Sequence, residues 1–283
     1  HLDYPLGGSA AVVDALVKGL KEHGGSLRTG VTVRSLLLDG DRVVGVELQN
    51  GEQISAQRVV SNADIWSTLA MLPDGAAEAW QRQRVETPRC NSFLHLHLGF
   101  DASGLAPLPI HTVWVDDWNR GIAAERNVVV LSVPSVLDAS MAPAGRHVLH
   151  GYTPASEPWS LWREHTRGTP AYDALKQERC EVFWRVLERT IPDIRDRCDL
   201  VMEGTPLTHS HFLNVSEGSY GPALSAAKGL FPGVTTPLEN LWLCGASTFP
   251  GIGIPPVAAS GAMAAHAILG GQAQTRLLKE LGI

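Results

Sequence analysis

The sequence has 283 residues, of which 44% are hydrophobic and 18% are charged, a composition that is typical of a folded globular protein and excludes a disordered chain. The formal net charge of −6 and the lack of an extended basic stripe argue against nucleic acid as a partner. No apolar run reaches the roughly 20 residues that span a bilayer. If the protein contacts a membrane, we therefore expect that contact to be peripheral.

The first ninety residues alternate between helical and extended patterns. Apolar residues recur at helical spacing over residues 9–23, and Ser9 precedes them as a candidate N-cap. Three β-rich stretches follow, over residues 26–38, 42–49 and 52–61. The dipeptides Asp39-Gly40 and Asn50-Gly51 favour tight hairpin turns between these stretches. We therefore predict an antiparallel meander, followed by an interrupted helix over residues 64–84.

The middle of the chain predicts a second antiparallel sheet. Strand patterns occupy residues 92–100, 111–115, 128–133, 147–152 and 198–203. A long amphipathic helix is predicted over residues 170–190. The segment 204–237 is rich in Gly, Pro, Ser and Thr, so we expect an ordered loop that covers another part of the surface. A short strand at 240–244 and a helix at 257–269 follow it.

The most informative segment runs from Leu241 to Gly261. It has the form of an apolar strand, a glycine turn, a proline-containing loop and a helix of small residues. Glycines at 245, 251 and 253 permit positive φ or the close approach of a ligand. We expect the amides and the positive dipole end of the helix to face that ligand. On spacing alone, an ordinary strand-to-helix connection explains the segment equally well, because it contains no GxGxxG fingerprint.

The same segment resembles the C-terminal flavin motif of the phytoene desaturase, carotenoid isomerase and retinol saturase family of FAD-dependent oxidoreductases. In that family the motif is written Gly-Asp-Ser-x-x-Pro-Gly-x-Gly and is followed by an Ala-rich helix. Further matches lie in family order along the chain, at Tyr4-Pro5-x-Gly7-Gly8, Val31-Thr32-Val33, Val59-Val60-Ser61-Asn62-Ala63 and Gly204-Thr205-Pro206-Leu207-Thr208-His209.

This resemblance implies the fold class. It is α/β and FAD-linked reductase-like, with a partial nucleotide-binding domain and an antiparallel-sheet substrate domain. Residues 1–87 and 204–283 would form the partial FAD-binding domain, and residues 88–203 the substrate domain. The family's N-terminal strand, GxGxxG turn and helix have no counterpart in this sequence. We therefore expect an N-terminal half of the flavin domain to be missing, either truncated away or supplied by another polypeptide.

The resemblance also implies which residues bind FAD. They are Val33, Gly245, Ala246, Ser247, Gly251, Gly253, Ile254 and Val257. Residues 245–247 would lie near the ribityl and pyrophosphate groups, residues 253–257 near the flavin ring, and Val33 beside the adenosine half through its backbone. Ala246 stands where the family usually has an acidic residue, which removes a hydrogen bond to the cofactor.

The function implied is flavin-dependent desaturation, saturation or isomerisation of a long apolar isoprenoid, a carotenoid or a retinoid. The chain most resembles a carotenoid cis–trans isomerase or a phytoene desaturase of carotenoid biosynthesis. Three alternatives are a retinol saturase-like reductase, an amine oxidase-like flavoenzyme, and a non-catalytic fragment or binding subunit without flavin. Four cysteines without a CxxC pair favour a reducing compartment, so we expect a cytoplasmic or plastid location, with a peripheral membrane contact left open.

No residue is assigned a catalytic role, and His209 is the one candidate on the substrate side. His95 and His97 share one face of a predicted strand, as His209 and His211 would if that segment were extended. Four imidazoles can ligate zinc or iron, but no carboxylate completes either pair at a recognised spacing. Ordinary polar positions on a half-exposed sheet explain the pattern better, so no metal site is predicted. A serine hydrolase is not favoured, because no Gly-x-Ser-x-Gly elbow occurs.

Overall fold

A computed structural model describes residues 4–225, 227 and 231–282. The chain divides into two compact units. The first unit contains the chain up to Thr29, Asn91–Leu213 and Glu217–Ser219. The second unit contains Gly30–Cys90, Asn214–Ser216 and the chain from Tyr220 onward. The residues before Thr29 thus fall in the unit of the large sheet, whereas the resemblance groups them with the flavin domain, and the expected domain boundaries stay a prediction.

The secondary structure of the described residues follows the predicted order. The helices are α1 (Gly8–Glu22), α2 (Ile65–Ala70), α3 (Glu78–Val85), α4 (Pro170–Leu187), α5 (Ile194–Arg197), α6 (Pro206–Leu213), α7 (Ile254–Leu269) and α8 (Gly271–Glu280). The strands are β1 (Val33–Asp39), β2 (Arg42–Leu48), β3 (Gln53–Ser55), β4 (Val59–Ser61), β5 (His95–Asp101), β6 (His111–Val115), β7 (Val128–Ser132), β8 (Arg146–Tyr152), β9 (Cys198–Gly204) and β10 (Leu241–Leu243). Within the described part of the chain, every helix is too short or too polar to cross a membrane.

Helix α1 begins one residue before the predicted cap. Gly7 occupies the N-cap position with a φ of 81°, a left-handed conformation that glycine adopts without steric cost. Its N–H donates a hydrogen bond of 2.8 Å to the Asp138 carboxylate within the first unit. Ser9 therefore lies inside the helix, and the prediction of Ser9 as the N-cap is wrong.

The first unit is built on a five-stranded sheet in the order β6-β7-β8-β5-β9, with every neighbouring pair antiparallel. This confirms the second antiparallel sheet. Because side chains alternate along a strand, Leu96 and Leu98 of β5 enter the core together with Phe183 of α4. The histidines at 95 and 97 consequently lie on the opposite face of the sheet.

A buried ion pair lies beside this core. The Glu157 side chain is fully buried, and Arg179 of α4 is 5% exposed. Arg179 donates from Nε to Oε1 at 2.9 Å and from Nη2 to Oε2 at 2.7 Å. Trp162 Nε1 donates a third hydrogen bond to Oε1, at 2.8 Å. A buried carboxylate is tolerated when its oxygens are paired in this way.

The second unit contains two separate sheets. Strands β1, β2 and β3 form the predicted antiparallel meander, with the turn at Asp39-Gly40 between the first two. The predicted third strand at 52–61 is wrong in its extent, because the chain breaks after Ser55 and β4 leaves the meander. Strand β4 instead pairs in parallel with β10, with Val59 opposite Leu241 and Ser61 opposite Leu243. The parallel partner lies far along the sequence, where a local pattern gives no information on pairing.

The segment 204–237 contains a helix that the sequence analysis missed. Helix α6 spans residues 206–213, so the prediction of a continuous loop is wrong there. His209 and His211 are two positions apart on this helix and do not share a face, unlike residues two apart in a strand. Residues 226 and 228–230 of the predicted loop lie outside the described residues.

The buried ion pair predicts that replacing Glu157 lowers the free energy of unfolding more than replacing a surface glutamate that also pairs with an arginine. Glu157→Ala leaves part of the Arg179 charge unpaired in the core, and we expect it to lower the free energy of unfolding by about 3–5 kcal/mol. Glu178→Ala is the matched control, because Glu178 pairs with Arg126 at the surface and is 61% exposed; its loss should cost at most about 1 kcal/mol. Urea unfolding followed by tryptophan fluorescence measures both. Equal losses in the two variants would contradict this assignment.

Candidate functional site

The glycine loop, residues 244–253, connects β10 to α7 in the second unit. Cys244 N–H donates to Ser61 O at 3.0 Å, so the parallel pairing continues to the start of the loop. At Gly245 the chain turns away with a φ of 101°. A Cβ at this position would lie 2.7 Å from Asn62 Nδ2, closer than two such atoms can approach. The Asn62 side chain would have to move to admit a Cβ, and the positive φ favours glycine at this position.

A buried serine joins the loop to the helix. Ser260 of α7 is fully buried, and its Oγ accepts a hydrogen bond of 2.7 Å from Gly245 N–H. The same hydroxyl donates to Val257 O at 2.7 Å. Ser247 Oγ accepts from Ile65 N–H at 3.1 Å, which ties the loop to α2 as well. These bonds fix the loop on two sides, so Ser260 has a structural role here and not that of a nucleophile.

The start of α7 offers fewer amides than expected. Pro255 and Pro256 have no amide proton, and Val257 N–H donates to Gly253 O at 2.9 Å. Ile254 is therefore the first-turn residue whose amide is left for a ligand, and its side chain is 77% exposed. The helix dipole still gives this end a partial positive charge. Because two prolines occupy the first turn, the amide contribution to a ligand site at this helix end is limited, and the contact with a ligand stays a prediction.

Part of the predicted covering loop lies against the glycine loop. A Cβ at Gly221 would contact Ile252 at 3.2 Å and Ala246 O at 3.5 Å. Phe249 N–H donates to Pro232 O at 2.7 Å, and Leu243 N–H donates to Val234 O at 2.8 Å. Residues around 221 and 232–234 are thus ordered over the site, as the sequence predicted for this segment.

The residues present at the glycine loop fit a flavin nucleotide. The loop lies at the carboxyl ends of two parallel strands, which is where open α/β sheets bind such ligands. Gly251 and Gly253 have φ of 121° and 112°. A Cβ at Gly251 would meet Phe231 at 3.3 Å, whereas at Gly253 it would meet only Pro256, at 3.6 Å, so Gly253 is the more open of the two. Among the described residues, the buried Thr248 Oγ1 has no hydrogen-bond partner. An unpaired buried hydroxyl is costly, and a bound nucleotide would offer it a partner.

The structure brings together most of the predicted cofactor residues. Ala246, Ser247 and Val257 lie with the three loop glycines and Ile254 on one continuous segment of the second unit. Val33 lies elsewhere in that unit, at the start of β1 opposite Leu48. Their roles in binding FAD stay a prediction.

Three histidines meet on the exposed face of the sheet in the first unit. His97 of β5 lies directly opposite His150 of β8, and His95 lies two residues from His97 on the same face. His95 Nδ1 and His150 Nε2 are 2.7 Å apart. The rings stack almost in parallel, with centroids 4.6 Å apart for His97 and His150 and 4.9 Å for His95 and His150. His150 was not singled out in the sequence analysis.

These imidazoles are uncharged at neutral pH. Burial lowers the pKa of His95 to about 2, and repulsion from His209, His150 and His97 adds to that shift. Burial also lowers the pKa of His150 to about 4, with a smaller contribution from His97. The pKa of His97 falls for the same reason, desolvation. Each ring therefore keeps one unprotonated nitrogen.

His209, the predicted substrate-side residue, lies beside this cluster. Its ring centroid is 4.8 Å from that of His95, in an edge-to-face arrangement. Ser92 Oγ donates its only proton to Gly218 O at 2.5 Å, so the 3.2 Å contact with His209 Nδ1 requires that nitrogen to be the donor. Burial lowers the pKa of His209.

The three clustered histidines and His209 line a cavity of about 770 Å³ in the first unit. Its other lining residues are Arg167, Gly168, Tyr172, Asp173, Lys176, Met202, Glu203, Gly204, Thr208, Phe212 and Leu213. The lining combines titratable, hydroxyl and apolar side chains.

Comparison with known proteins identifies the family. The family model described as flavin containing amine oxidoreductase matches residues 3–269. The chain belongs to this family. The family is described as flavin-containing, which confirms a flavin, FAD, as the class of cofactor.

The individual relatives are named as prolycopene isomerases and phytoene desaturases. The chain is 34% identical to the chloroplastic prolycopene isomerase of Arabidopsis thaliana, over 94% of the chain and 45% of that isomerase. It is 35% identical to prolycopene isomerase 1 of an Oncidium hybrid cultivar, over 94% and 46% of the two chains. The neurosporene-forming phytoene desaturase of Cereibacter sphaeroides is 27% identical, over 91% and 52%. The chain therefore spans about half the length of these relatives.

Solved structures confirm the fold class. An oxidoreductase from Methanosarcina mazei matches with a TM-score of 0.62 at 20% identity, over 94% of this chain and 55% of that one. Cyclohexylamine oxidase from Brevibacterium oxydans matches with a TM-score of 0.52 at 15% identity, over 91% and 52%. At these identities the similarity is one of fold.

The position of Gly245 beside Asn62 predicts that adding one methyl group at residue 245 lowers the stability of the protein. Gly245→Ala places a Cβ in a positive-φ conformation and in contact with Asn62, so we expect a loss of about 1–3 kcal/mol in the free energy of unfolding. Gly261→Ala is the control, because a Cβ at this position of α7 meets nothing within 4 Å and the helix gains up to about 1 kcal/mol from alanine. Thermal unfolding of both variants tests the pair, and a stable Gly245→Ala protein would rule out the tight contact.

Proposed function

We propose that this chain is part of a flavin-dependent enzyme that isomerises or desaturates a long conjugated isoprenoid, most like a prolycopene isomerase. The observation that carries the proposal is the 34–35% identity to plant prolycopene isomerases over 94% of the chain. The amine oxidase alternative receives support from the description of the family and from the fold, but cyclohexylamine oxidase is only 15% identical. A retinol saturase-like reductase has no specific support beyond the shared family.

In this proposal the second unit holds the flavin, and the first unit is the substrate-binding part of the protein. The positive φ at Gly245 and Gly251 shapes the loop, the backbone at Gly253 lets the cofactor approach closely, and the Thr248 hydroxyl gives it a buried hydrogen-bonding group. Ile254 and Val257 offer apolar contact at the start of α7. When bound, the flavin supplies the exchange of electrons or hydride with the polyene. The protein's task is to position an apolar chain and to exclude water around it.

Ala246 makes the cofactor contact testable. Restoring the family's acidic residue with Ala246→Asp would add a carboxylate that accepts a hydrogen bond from the cofactor. Hydrogen bonds to charged groups contribute about 1.5–3 kcal/mol, so FAD should bind roughly ten- to a hundredfold more tightly. Ala262→Asp on the exposed side of α7 adds the same charge away from the loop and should have little effect. Fluorescence titration with FAD, on the product of the complete gene, measures both; equal affinities in wild type and Ala246→Asp would contradict the assignment of residue 246.

The activity itself is tested with a poly-cis carotene. The product of the complete gene is purified, its visible spectrum is recorded after desalting, and the flavin-containing protein is incubated with the carotene under reducing conditions. We expect the desalted protein to retain a flavin absorption band. We also expect it to convert the cis isomers to the all-trans isomer, which chromatography measures. Products with additional double bonds would indicate desaturation instead. A protein without any flavin band would support the non-catalytic alternative and overturn the proposal.

We also propose a plastid or cytoplasmic location with a peripheral membrane contact. The plant relatives carry the word chloroplastic in their names, and long isoprenoids dissolve in membranes because they are apolar. The protein would then contact the membrane through its surface and would not span it. Fractionation of cells that express it, with a salt wash of the membrane pellet, distinguishes a peripheral from a soluble protein.

A further inference from the structure

We propose that His95, His97 and His150 form a binding site for one first-row transition-metal ion, of the zinc or iron type. Their ligand nitrogens all lie within 4.8 Å of one another. The site belongs to the first unit alone and is independent of the flavin function proposed above. His150 is the residue that changes the interpretation, because it adds a third imidazole to the pair visible in the sequence.

The sheet holds the three rings in place before any ion binds. Leu96 and Leu98 are buried in the core, which forces the residues at 95 and 97 onto the other face. His150 is fixed opposite His97 by the register of β5 and β8. On the other side of β5, Gly204 of β9 lies opposite His95, where a Cβ would come within 3.2 Å of His95 Cβ. A pre-organised set of ligands loses little conformational freedom when it binds an ion.

The distances suit coordination by imidazole. Zinc–nitrogen bonds of about 2.0–2.1 Å in a tetrahedral site place two ligand nitrogens about 3.4 Å apart. The observed separations run from 2.7 Å for His95 Nδ1 and His150 Nε2 to the limit of 4.8 Å for the group. The tetrahedral spacing lies within this range. Three protein ligands leave a fourth position open toward the cavity.

The chemistry of the ligands selects the class of ion. Neutral imidazole suits zinc, copper, iron and nickel, whereas magnesium and calcium prefer oxygen ligands. The neutral imidazole is the form that binds a metal ion. Met202 lies opposite His97 on β9 and lines the same cavity, so a thioether is near the open position.

Metal titration of the untagged full chain tests the proposal. The protein is treated with a chelator, dialysed and titrated with Zn²⁺ in competition with a chromophoric chelator; Co²⁺ replaces Zn²⁺ for absorption spectroscopy. We expect saturation at one ion per chain and cobalt d–d bands of a nitrogen-ligated site. His97→Gln should weaken binding by more than about tenfold, since the loss of even an outer-shell partner costs 10–100-fold. His97 is exposed, so this variant should fold normally.

His147→Gln is the matched control. His147 is on the same strand as His150, but its Nδ1 pairs with Ser135 Oγ at 2.8 Å and it lies outside the cluster. We expect its metal affinity to equal that of the wild type, and circular dichroism verifies the fold of each variant. The proposal fails if the wild type shows no saturable binding, or if His97→Gln and His150→Gln bind as the wild type does. An equal loss in His147→Gln would also overturn it, because binding would then not depend on this cluster.

Discussion

The geometry of the glycine loop depends on one buried hydroxyl, that of Ser260. It accepts from Gly245 N–H and donates to Val257 O, so it fixes the end of β10 relative to the first turn of α7. A buried N–H without such a partner costs about 1–3 kcal/mol. The positions of Gly251, Gly253 and the start of the helix follow from this bond. What we propose for the flavin therefore rests on a residue that need not touch it.

Much of the fold could be predicted because it follows from local patterns. The apolar periodicity of residues 170–190 predicted helix α4, and Asp39-Gly40 predicted the turn between β1 and β2. Both signals are local, because each lies within a short stretch of sequence. Strand β4 could not be placed, because its partner β10 lies far along the chain and a three-residue strand has no periodicity of its own. Helix α6 was missed although Thr205-Pro206 is a typical helix start, and Thr205 and Thr208 bond each other's backbone amides there.

The two candidate sites differ in how far the sequence could predict them. Most of the predicted flavin residues lie on the one continuous segment that the family motif covers, with Val33 the exception, and their role in binding stays a prediction. The histidine cluster needs the register that sets His97 opposite His150, and no pattern in either strand specifies that register. His209 lines a cavity together with the cluster, its substrate-side role stays a prediction, and its helical setting separates it from His211.

The parallel pairing of β4 and β10 has a consequence for the order of folding. It joins residues 59–61 to residues 241–243, so its formation carries the entropy cost of closing a very long loop. During synthesis the meander of β1, β2 and β3 can form early from neighbouring segments, while the partner of β4 leaves the ribosome much later. The edge of β4 is exposed to wrong partners throughout that interval, which is a risk for aggregation. The glycine loop consequently cannot become native before β10 has been synthesised.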